Sequence, residues 1–445
     1  MKPYASYKPS GVPWLGDVPG DWSLKRVKHI TRHTTGWTPP TGNRAGYDGP
    51  NLWATIADLG DSVIKDTKAR ISDEAVFEAG IRQSPAGSLL FSFKLSVGQV
   101  SIVGEPMYTN EAIATFLPSR DYVVSWAFYA FPVFIPENSA INIYGARLLN
   151  QQRINDAFLP VPSLSEQQAI ASYLDVETAR IDTLIHEKDE LIGLLKEARS
   201  GRISELISGD GLPGNPTGDP WAPHLPNGWQ FKRLKHLAQV RSGLAKGKDS
   251  GGNATVELPY LRVANVQEGR LDLREISTMP VEVDAVERFS LVEGDVLMNE
   301  GGDYDKVGRG AVWTGEISPC LHQNHVFAVR PVERDLSEWL SAITQTRYAK
   351  FYFMNNAKQS TNLASIGQTT VKELPILLPP KAQRDALLGT LGAELVAFDD
   401  LIAHAHDEIT VLKELRAATI ADAVLGRIDV RTRANKDVRK ARHEL

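Results

Sequence analysis

The sequence contains almost no cysteine and no long hydrophobic run, and each absence excludes a class of protein. Cys320 is the sole cysteine among 445 residues, which excludes an internal disulfide and any zinc site built from several cysteines. No apolar run approaches the roughly 18 residues that a membrane-spanning helix requires, and the first residues contain no apolar signal core. We therefore expect a cytoplasmic globular protein in which Cys320 is a small core residue.

Positive charge is also scarce for a protein that would bind nucleic acid by itself. The formal net charge is −5, and residues 161–210 account for it with ten acidic against five basic side chains. The remainder of the chain is neutral, so strong non-specific attraction to phosphates is not expected. This balance favours a component of a complex over a free-standing DNA-binding protein.

Catalytic motifs are missing as well. Gly243–Asp249 resembles a phosphate-binding loop, but it is one residue short and ends in Asp where Ser or Thr would bind magnesium. The segment 186–190 lacks the second histidine of a zinc-protease helix, and His404 and His406 lie on different helix faces. Residues 38–41 differ from the Asn/Asp-Pro-Pro-aromatic element of adenine methyltransferases. The sequence therefore indicates a protein without catalytic residues of its own.

What the sequence does contain is an internal repeat. Residues 19–30 (PGDWSLKRVKHI) recur as residues 226–237 (PNGWQFKRLKHL), and residues 181–199 recur as 398–416 at an offset of 217. The chain is thus organised as globule, helix, globule, helix, with pseudo-two-fold symmetry. Two similar surfaces suit a partner with two-fold symmetry, such as duplex DNA.

Two long amphipathic helices are predicted from apolar residues at helical spacing. The first spans about Ser165–Ser208, where its first residue and Gln168 form a capping box, and the second spans about Lys381–Leu425. Each ends at a glycine, Gly209 or Gly426, as a helix C-terminus often does.

Each helix would be roughly 60 Å long with one apolar stripe, and such a helix needs a partner. The simplest partner is the other helix, packed antiparallel as a coiled coil. The alternative is an ordinary long helix inside each globule. The stripe residues predicted to bind a helical partner are Leu174, Ile181, Ile185, Leu195, Leu391, Phe398, Ile402 and Leu412.

Prolines and glycines mark the boundaries between the segments. Apolar runs that each follow a turn glycine predict strands at Ser88–Ser92 and Asp295–Asn299, so both globules are expected to be mixed α/β. The predicted segments are a first globule (1–160), a first helix (161–210), a linker (211–220), a second globule (221–378), a second helix (379–426) and a basic disordered tail (427–445).

Three sets of short motifs occur once in each half, in the same order. They are a Trp-x-x-Lys-Arg-x-Lys-His entry (22–29 and 229–236), glycine turns (87–90 and 97–100, with 294–297 and 307–310) and a proline-bounded helix entry (159–167 and 374–384). Together they resemble the specificity subunit of type I restriction–modification systems over essentially the whole chain. The second helix entry departs from this pattern, because Gln383-Arg384 stands where the first has Glu166-Gln167.

The resemblance implies an α+β fold with two target-recognition domains separated by two antiparallel coiled-coil spacer helices. Each domain would read one half of a bipartite, asymmetric site in double-stranded DNA. The helices would dock two methyltransferase subunits that bind S-adenosylmethionine, and two motor–nuclease subunits that use ATP and Mg²⁺ would join them. The chain itself would bind no cofactor or metal and would have no catalytic residue.

Candidate DNA contacts follow from side-chain chemistry. Arg pairs with guanine, Asn and Gln pair with adenine, and Lys, Arg and small hydroxyls hold phosphates. The loop Asn355–Asn362 is the strongest candidate because it is dense in such groups, although a solvated surface is the alternative for each residue. The first globule offers Lys65, Lys68, Arg70, Arg82, Gln83, Lys94 and the stretch Tyr144–Arg147 with Arg147. The second globule offers Arg241, Lys246, Lys248, Arg262, Asn265, Asn355, Asn356, Lys358, Gln359 and Ser360.

Two other functions remain open at this point. A stand-alone DNA-binding regulator would bind a bipartite site without partners and with a steep salt dependence. A protein-interaction scaffold would have no DNA role, and alanine changes in residues 355–362 would then leave nucleic-acid binding unaltered.

Overall fold

The computed structural model describes residues 2–40, 42, 44–60, 62–245, 254–359 and 363–431. The chain divides into two compact units. The first unit combines Met1–Glu187 with Glu408–Leu445, and the second unit is Lys188–Asp407. Each unit therefore contains one globule and one part of each long helix. Within the described ranges, no helix is long and apolar enough to span a membrane.

The first globule contains a five-stranded sheet in the order β4-β11-β8-β9-β6 and a three-stranded sheet in the order β10-β5-β7. Its strands are β1 (Tyr7–Pro9), β2 (Asp17–Pro19), β3 (Ser23–Arg26), β4 (His33–Thr35), β5 (Asn51–Ala54), β6 (Val63–Ile64), β7 (Ala69–Ile71), β8 (Leu89–Ser92), β9 (Val100–Val103), β10 (Tyr108–Thr109), β11 (Ile113–Phe116), β12 (Ala140–Ile141), β13 (Arg147–Leu148) and β14 (Phe158–Val161). The helices are α1 (Asp73–Ala79), α2 (Val124–Phe134), α3 (Gln151–Asp156) and the long α4 (Leu164–Ser208).

The core of the first globule lies between the five-stranded sheet and α2. Every residue of β8 is buried, which confirms the strand predicted at Ser88–Ser92. The helix α2 is apolar around most of its circumference, as a fully buried helix should be, and it buries Trp126 and Phe131. The ring of Phe131 packs edge-on against Phe116 of β11 with 4.9 Å between centroids.

The second globule repeats this plan with a four-stranded sheet, β18-β25-β21-β23, and a three-stranded sheet, β20-β19-β24. Its strands are β15 (Gly214–Pro216), β16 (His224–Pro226), β17 (Gln230–Arg233), β18 (Ala238–Ser242), β19 (Thr255–Leu261), β20 (Ser277–Glu282), β21 (Val296–Asn299), β22 (Gly301–Gly302), β23 (Gly310–Val312), β24 (Leu321–His322), β25 (Val326–Pro331), β26 (Lys358–Gln359), β27 (Ala364–Ser365) and β28 (Pro375–Leu378). The helices are α5 (Val286–Phe289), α6 (Ser337–Thr344), α7 (Arg347–Asn356), α8 (Gln368–Lys372) and the long α9 (Lys381–Val424).

Both predicted core features of the second globule are confirmed. The strand predicted at Asp295–Asn299 is β21, and all four of its residues are buried. Cys320 is a free, buried core residue. The indole rings of Trp229 and Trp339 stack edge-on with 5.8 Å between centroids, and the Trp339 ring N–H donates to the Leu377 carbonyl.

The two long helices begin and end within one residue of their predicted limits, but the first cap differs from the prediction. The hydroxyl of Ser163, not that of Ser165, accepts the Glu166 N–H, because the helix already begins at Leu164. Both predicted glycine stops are confirmed, since Gly209 and Gly426 have φ of 68° and 71°.

Within each unit the two helix segments run antiparallel. In the second unit Arg199 pairs with Asp399 at 3.0 Å and Arg202 pairs with Glu394 at 2.6 Å, so one residue number rises as the other falls. In the first unit the Arg416 guanidinium lies 2.8 Å from Asp182. The helix–helix contact predicted from the apolar stripes is therefore present in both units.

The segments predicted to be a linker and a disordered tail are partly folded. Strand β15, which lies within residues 211–220, pairs with β16 beyond them, and the buried Asp219 carboxylate accepts a hydrogen bond from the Arg233 guanidinium at 2.6 Å. Residues 427–431 are also ordered, because Val430 is buried and the Asp429 N–H donates to the Lys2 carbonyl. Residues 432–445 of the predicted tail lie outside the described residues.

Candidate nucleic-acid interface

Three strand-connecting segments meet at Glu300 in the second globule. The Glu300 N–H donates to the His325 carbonyl at 2.9 Å, and its own carbonyl accepts the Ile366 N–H at 2.8 Å. The strand β22, which follows Glu300, pairs with β27. The turn after β21, the loop before β25 and the strands β26 and β27 are thus joined by backbone hydrogen bonds.

The corresponding segments of the first globule are the turn 93–99, the loop 110–112 and the hairpin β12–β13. The Phe93 N–H donates to the Ala112 carbonyl at 3.0 Å, which is the counterpart of the Glu300–His325 bond. Gly98, at the other end of the turn, packs close to Pro136, which precedes the hairpin in the chain. A Cβ atom placed on Gly98 would lie 3.7 Å from the Pro136 ring. Leu95 at the tip of this turn has a φ of 48°, an unfavourable conformation for a leucine.

The candidate DNA contacts of the first globule are all exposed, but they form separate groups. Arg70 pairs with Asp66 at 2.8 Å, next to a cleft of about 620 Å³ lined by Lys65 and Lys68. The ammonium group of Lys94 lies near Glu111, whose pKa is lowered chiefly by the Thr38 hydroxyl. The remaining candidates of this globule are Arg82, Gln83, whose amide donates to the Pro106 carbonyl, and Arg147, whose guanidinium lies 2.9 Å from Glu137.

Two candidates in the second globule form internal contacts instead. Asn265 is buried, and its amide nitrogen donates to the Asp272 and Glu275 carbonyls at 2.8 and 2.9 Å. The Arg241 guanidinium donates to the Arg288 carbonyl and is half-buried, which lowers its pKa. In this structure both candidate DNA contacts therefore use their polar side-chain groups within the globule.

The prediction that Asn355–Asn362 is a loop is wrong for its first residues, which belong to a helix. Asn355 and Asn356 lie in the last turn of α7, where each side-chain amide donates to the carbonyl four residues earlier at 2.8 Å. Lys358 and Gln359 form the exposed strand β26. Of the remaining candidates, Lys246, Lys248 and Ser360 lie outside the described residues.

Arg262 is a candidate DNA contact that lies in a defined cavity. It lines a cavity of about 430 Å³ together with Asp272 and Arg274. The Arg274 guanidinium lies 2.6 Å from Asp272 and lowers the pKa of that carboxyl to about 2. The Asp272 charge is therefore already paired, whereas the buried Arg262 Nε has no hydrogen-bond partner among the described residues.

One family model, described as the type I restriction modification DNA specificity domain, matches the chain twice, over residues 19–192 and 226–389. The chain belongs to this family. Each match covers one globule and the start of the long helix that follows it.

Known members of the specificity family show moderate sequence identity. The chain is 27% identical over 270 residues to the type I restriction enzyme MjaIX specificity subunit of Methanocaldococcus jannaschii, covering 57% of this chain and 60% of that protein. It is 24% identical over 285 residues to the type I restriction enzyme EcoKI specificity subunit of Escherichia coli K12, covering 62% of this chain and 59% of that protein. The matches thus span about three fifths of these relatives.

A solved structure shares the fold of this chain. A chain from a study of complex assembly and conformational transition of the type I R-M system has a TM-score of 0.62 at 17% identity. The likeness covers 92% of this chain and 99% of that chain.

The side chains of the two predicted apolar stripes are buried or half-buried in this protein. Leu174, Ile181 and Leu391 are buried. The other stripe residues, Ile185, Leu195, Phe398, Ile402 and Leu412, are half-buried. The apolar spacing did not single out five further side chains that are exposed on the two helices, which are Val176, Leu194, Val396, Val411 and Leu415.

Proposed function

We propose that the chain is the DNA specificity subunit of a type I restriction–modification complex. The observation that most supports this is the double match to one DNA-specificity family model, with one match on each globule. Each globule would read one half of a bipartite, asymmetric site in double-stranded DNA. The connecting segments that meet at Glu300, and their counterparts around Phe93, are the surfaces proposed to contact the bases.

The long helices would form an antiparallel coiled coil that holds the two globules at a set distance and rotation along the DNA. Support comes from the ion pairs Arg199–Asp399 and Arg416–Asp182, whose residues are related by the same offset of 217 as the sequence repeat. A rigid connection of this kind would define the length of the non-specific spacer between the half-sites.

Methyltransferase subunits would bind to the apolar side chains that the helices leave exposed. Leu194 and Val411, again 217 residues apart, are 64% and 62% exposed, so both halves of the repeat expose an apolar side chain at the matched position. In the second unit a groove of about 520 Å³ lies beside Phe398 and Leu401. Adenine methylation, with its S-adenosylmethionine, would then belong to these partners, and ATP and Mg²⁺ to motor–nuclease subunits.

Mapping methylated adenines across the host genome, with and without the gene, tests this function. We expect loss of one bipartite, asymmetric motif that is methylated on both strands. Unchanged methylation would favour the scaffold, and specific DNA binding by the chain without partners would favour the stand-alone regulator.

Co-purification with the methyltransferase subunits tests the docking surface. We expect Leu194→Glu and Val411→Glu each to reduce the amount of methyltransferase recovered with the tagged chain. Lys196→Glu is the matched control, because it places the same side chain at an exposed polar position of α4. Equal recovery from all three variants would contradict docking at these positions.

A further inference from the structure

The hairpin β12–β13 of the first globule exposes an unusual amount of apolar surface. Ile143 is 90% exposed, the highest value for a large apolar side chain among the described residues, and Tyr144 beside it is 87% exposed. Ile141 and Leu148 on the flanking strands are also exposed. A contiguous exposed apolar group of this kind generally marks a contact with a partner.

The tip is ordered by its own hydrogen bonds, so its exposure does not reflect a loose loop. The Asn142 Oδ1 accepts the N–H groups of Tyr144 and Ala146 at 2.9 and 2.8 Å. The Asn142 N–H donates to the Ala146 carbonyl, and Gly145 closes the turn with a φ of 79°. Arg147 pairs with Glu137 at the base of the hairpin. The backbone that carries Ile143 and Tyr144 is therefore ordered in advance of binding, which reduces the entropy lost on contact.

The second globule has a hairpin at the equivalent place, and the comparison shows which part differs. β13, the start of α3 and β14 correspond to β27, the start of α8 and β28 at a constant offset of 217. The strand before the tip differs, because Ala140–Ile141 is apolar whereas Lys358–Gln359 is cationic and polar. A retained frame with an exchanged strand at its edge is the pattern expected of a recognition element.

The charge around the first hairpin favours DNA over a protein partner. Between Glu137 and Arg153 the charged residues are Glu137, Arg147 and Arg153. Because Glu137 and Arg147 form an ion pair, the net charge of +1 is that of Arg153 at the base of the hairpin. Cations suit the flanking phosphates, and a two-stranded ribbon fits the major groove. Apolar side chains in that groove find one apolar feature of the base pairs, the 5-methyl group of thymine.

We propose that this hairpin enters the major groove of the half-site read by the first globule, where Ile143 and Tyr144 contact a thymine methyl group. The proposal rests on the proposed function, because it assigns a chemical preference to one of the two half-sites.

Deoxyuridine substitution tests the contact at the level of one methyl group. Each thymine of the recognised site is replaced in turn by deoxyuridine, and affinity is measured for the purified complex with its methyltransferase subunits. For the wild type we expect a roughly tenfold loss at one thymine position or two adjacent ones, within one half-site. The double variant Ile143→Ala/Tyr144→Ala should bind the thymine and deoxyuridine sites equally.

Two further variants separate this contact from other effects. Tyr144→Phe keeps the apolar ring and should still discriminate thymine from deoxyuridine. Phe77→Ala is the matched control, because Phe77 is 88% exposed on α1 in the same globule. This substitution should change neither the affinity for the thymine site nor that for the deoxyuridine site. These side chains are exposed, so the variants are expected to keep the wild-type unfolding transition.

Three results would overturn the inference. One is a wild-type complex that binds its site with no dependence on any thymine methyl group, and another is unchanged discrimination in the double variant. The third is failure of the folded double variant to co-purify with the methyltransferase subunits, which would make the hairpin a protein contact. Failure of the proposed function would differ from all three, because the wild-type complex would then recognise no bipartite site at all.

Discussion

The two globules share the strands that enter and leave them but differ in the segments between those strands. In the first, β3 pairs with β14, and in the second β17 pairs with β28, each over four residues. The turn after β8, by contrast, has an exposed Leu95 at its tip, whereas the turn after β21 forms strand β22, which pairs with β27. The strand pairs that lead into the helices are alike in the two globules. The connecting segments, where a ligand can be contacted, differ.

The helices show the same division between shared and individual features. Arg199–Asp399 and Arg416–Asp182 are equivalent ion pairs at 3.0 and 2.8 Å. The pair Arg202–Glu394 has no equivalent in the first unit, because Thr419 stands at the position that corresponds to Arg202. The units are therefore related but not interchangeable.

Removing the entry tryptophans should have the largest effect and should affect both units alike. Trp22 and Trp229 are both buried in their cores. We expect Trp22→Ala and Trp229→Ala each to lower the free energy of unfolding of its own unit by about 3–5 kcal/mol. Hydrogen exchange of the full chain would show which unit loses protection. If either substitution reduced hydrogen-exchange protection in both units, the two cores would not unfold independently.

Acid should destabilise the second unit through His322. Burial lowers the pKa of this histidine to about 4, below the unfolded value of about 6.5. The folded state thus binds fewer protons, so stability is full above pH 6.5 and is lost as the pH falls towards 4. We expect a loss of about 2 kcal/mol between pH 7 and pH 5.

Urea denaturation at the two pH values measures this loss. The variant His322→Asn should be less stable at pH 7 but should show a pH dependence smaller by about the same 2 kcal/mol. An identical pH dependence in the wild type and the variant would exclude His322 as the group responsible.

The helix-end glycines offer a matched comparison with a smaller effect. Gly209 and Gly426 both have positive φ, and a Cβ on either would collide with a proline ring, Pro226 or Pro19. The left-handed backbone alone should make Gly209→Ala and Gly426→Ala less stable by about 1–2 kcal/mol each. Thermal unfolding of both variants checks this, and a neutral result at one position would show that the two helix ends differ.

The equivalent ion pairs should contribute least. Because both pairs are partly exposed, we expect Arg199→Ala and Arg416→Ala each to lower the free energy of unfolding by about 0.2–1 kcal/mol. The difference should shrink in high salt. Denaturation at low and high ionic strength is the measurement, and a loss that salt leaves unchanged would indicate a packing role for the arginine stem.

Regular, periodic segments were predictable, whereas individual interface residues were not. The helix limits followed from apolar spacing and terminal glycines, and the buried strands from short apolar runs after a turn glycine. Asn265 looked like a base-reading residue, but its amide is occupied by the carbonyls of Asp272 and Glu275. Ile143 carried no sequence signal that set it apart from an ordinary apolar residue, yet it is 90% exposed.

The sequence by itself determined the repeat, the two helices and the order of the segments, because these depend on spacing between near neighbours. Only the tertiary structure decided which side chains are available. The exposure of a residue depends on what distant parts of the chain place beside it, as Gly426 is placed against Trp22. A residue type indicates what a side chain can bind, and the fold determines whether that capacity is already used.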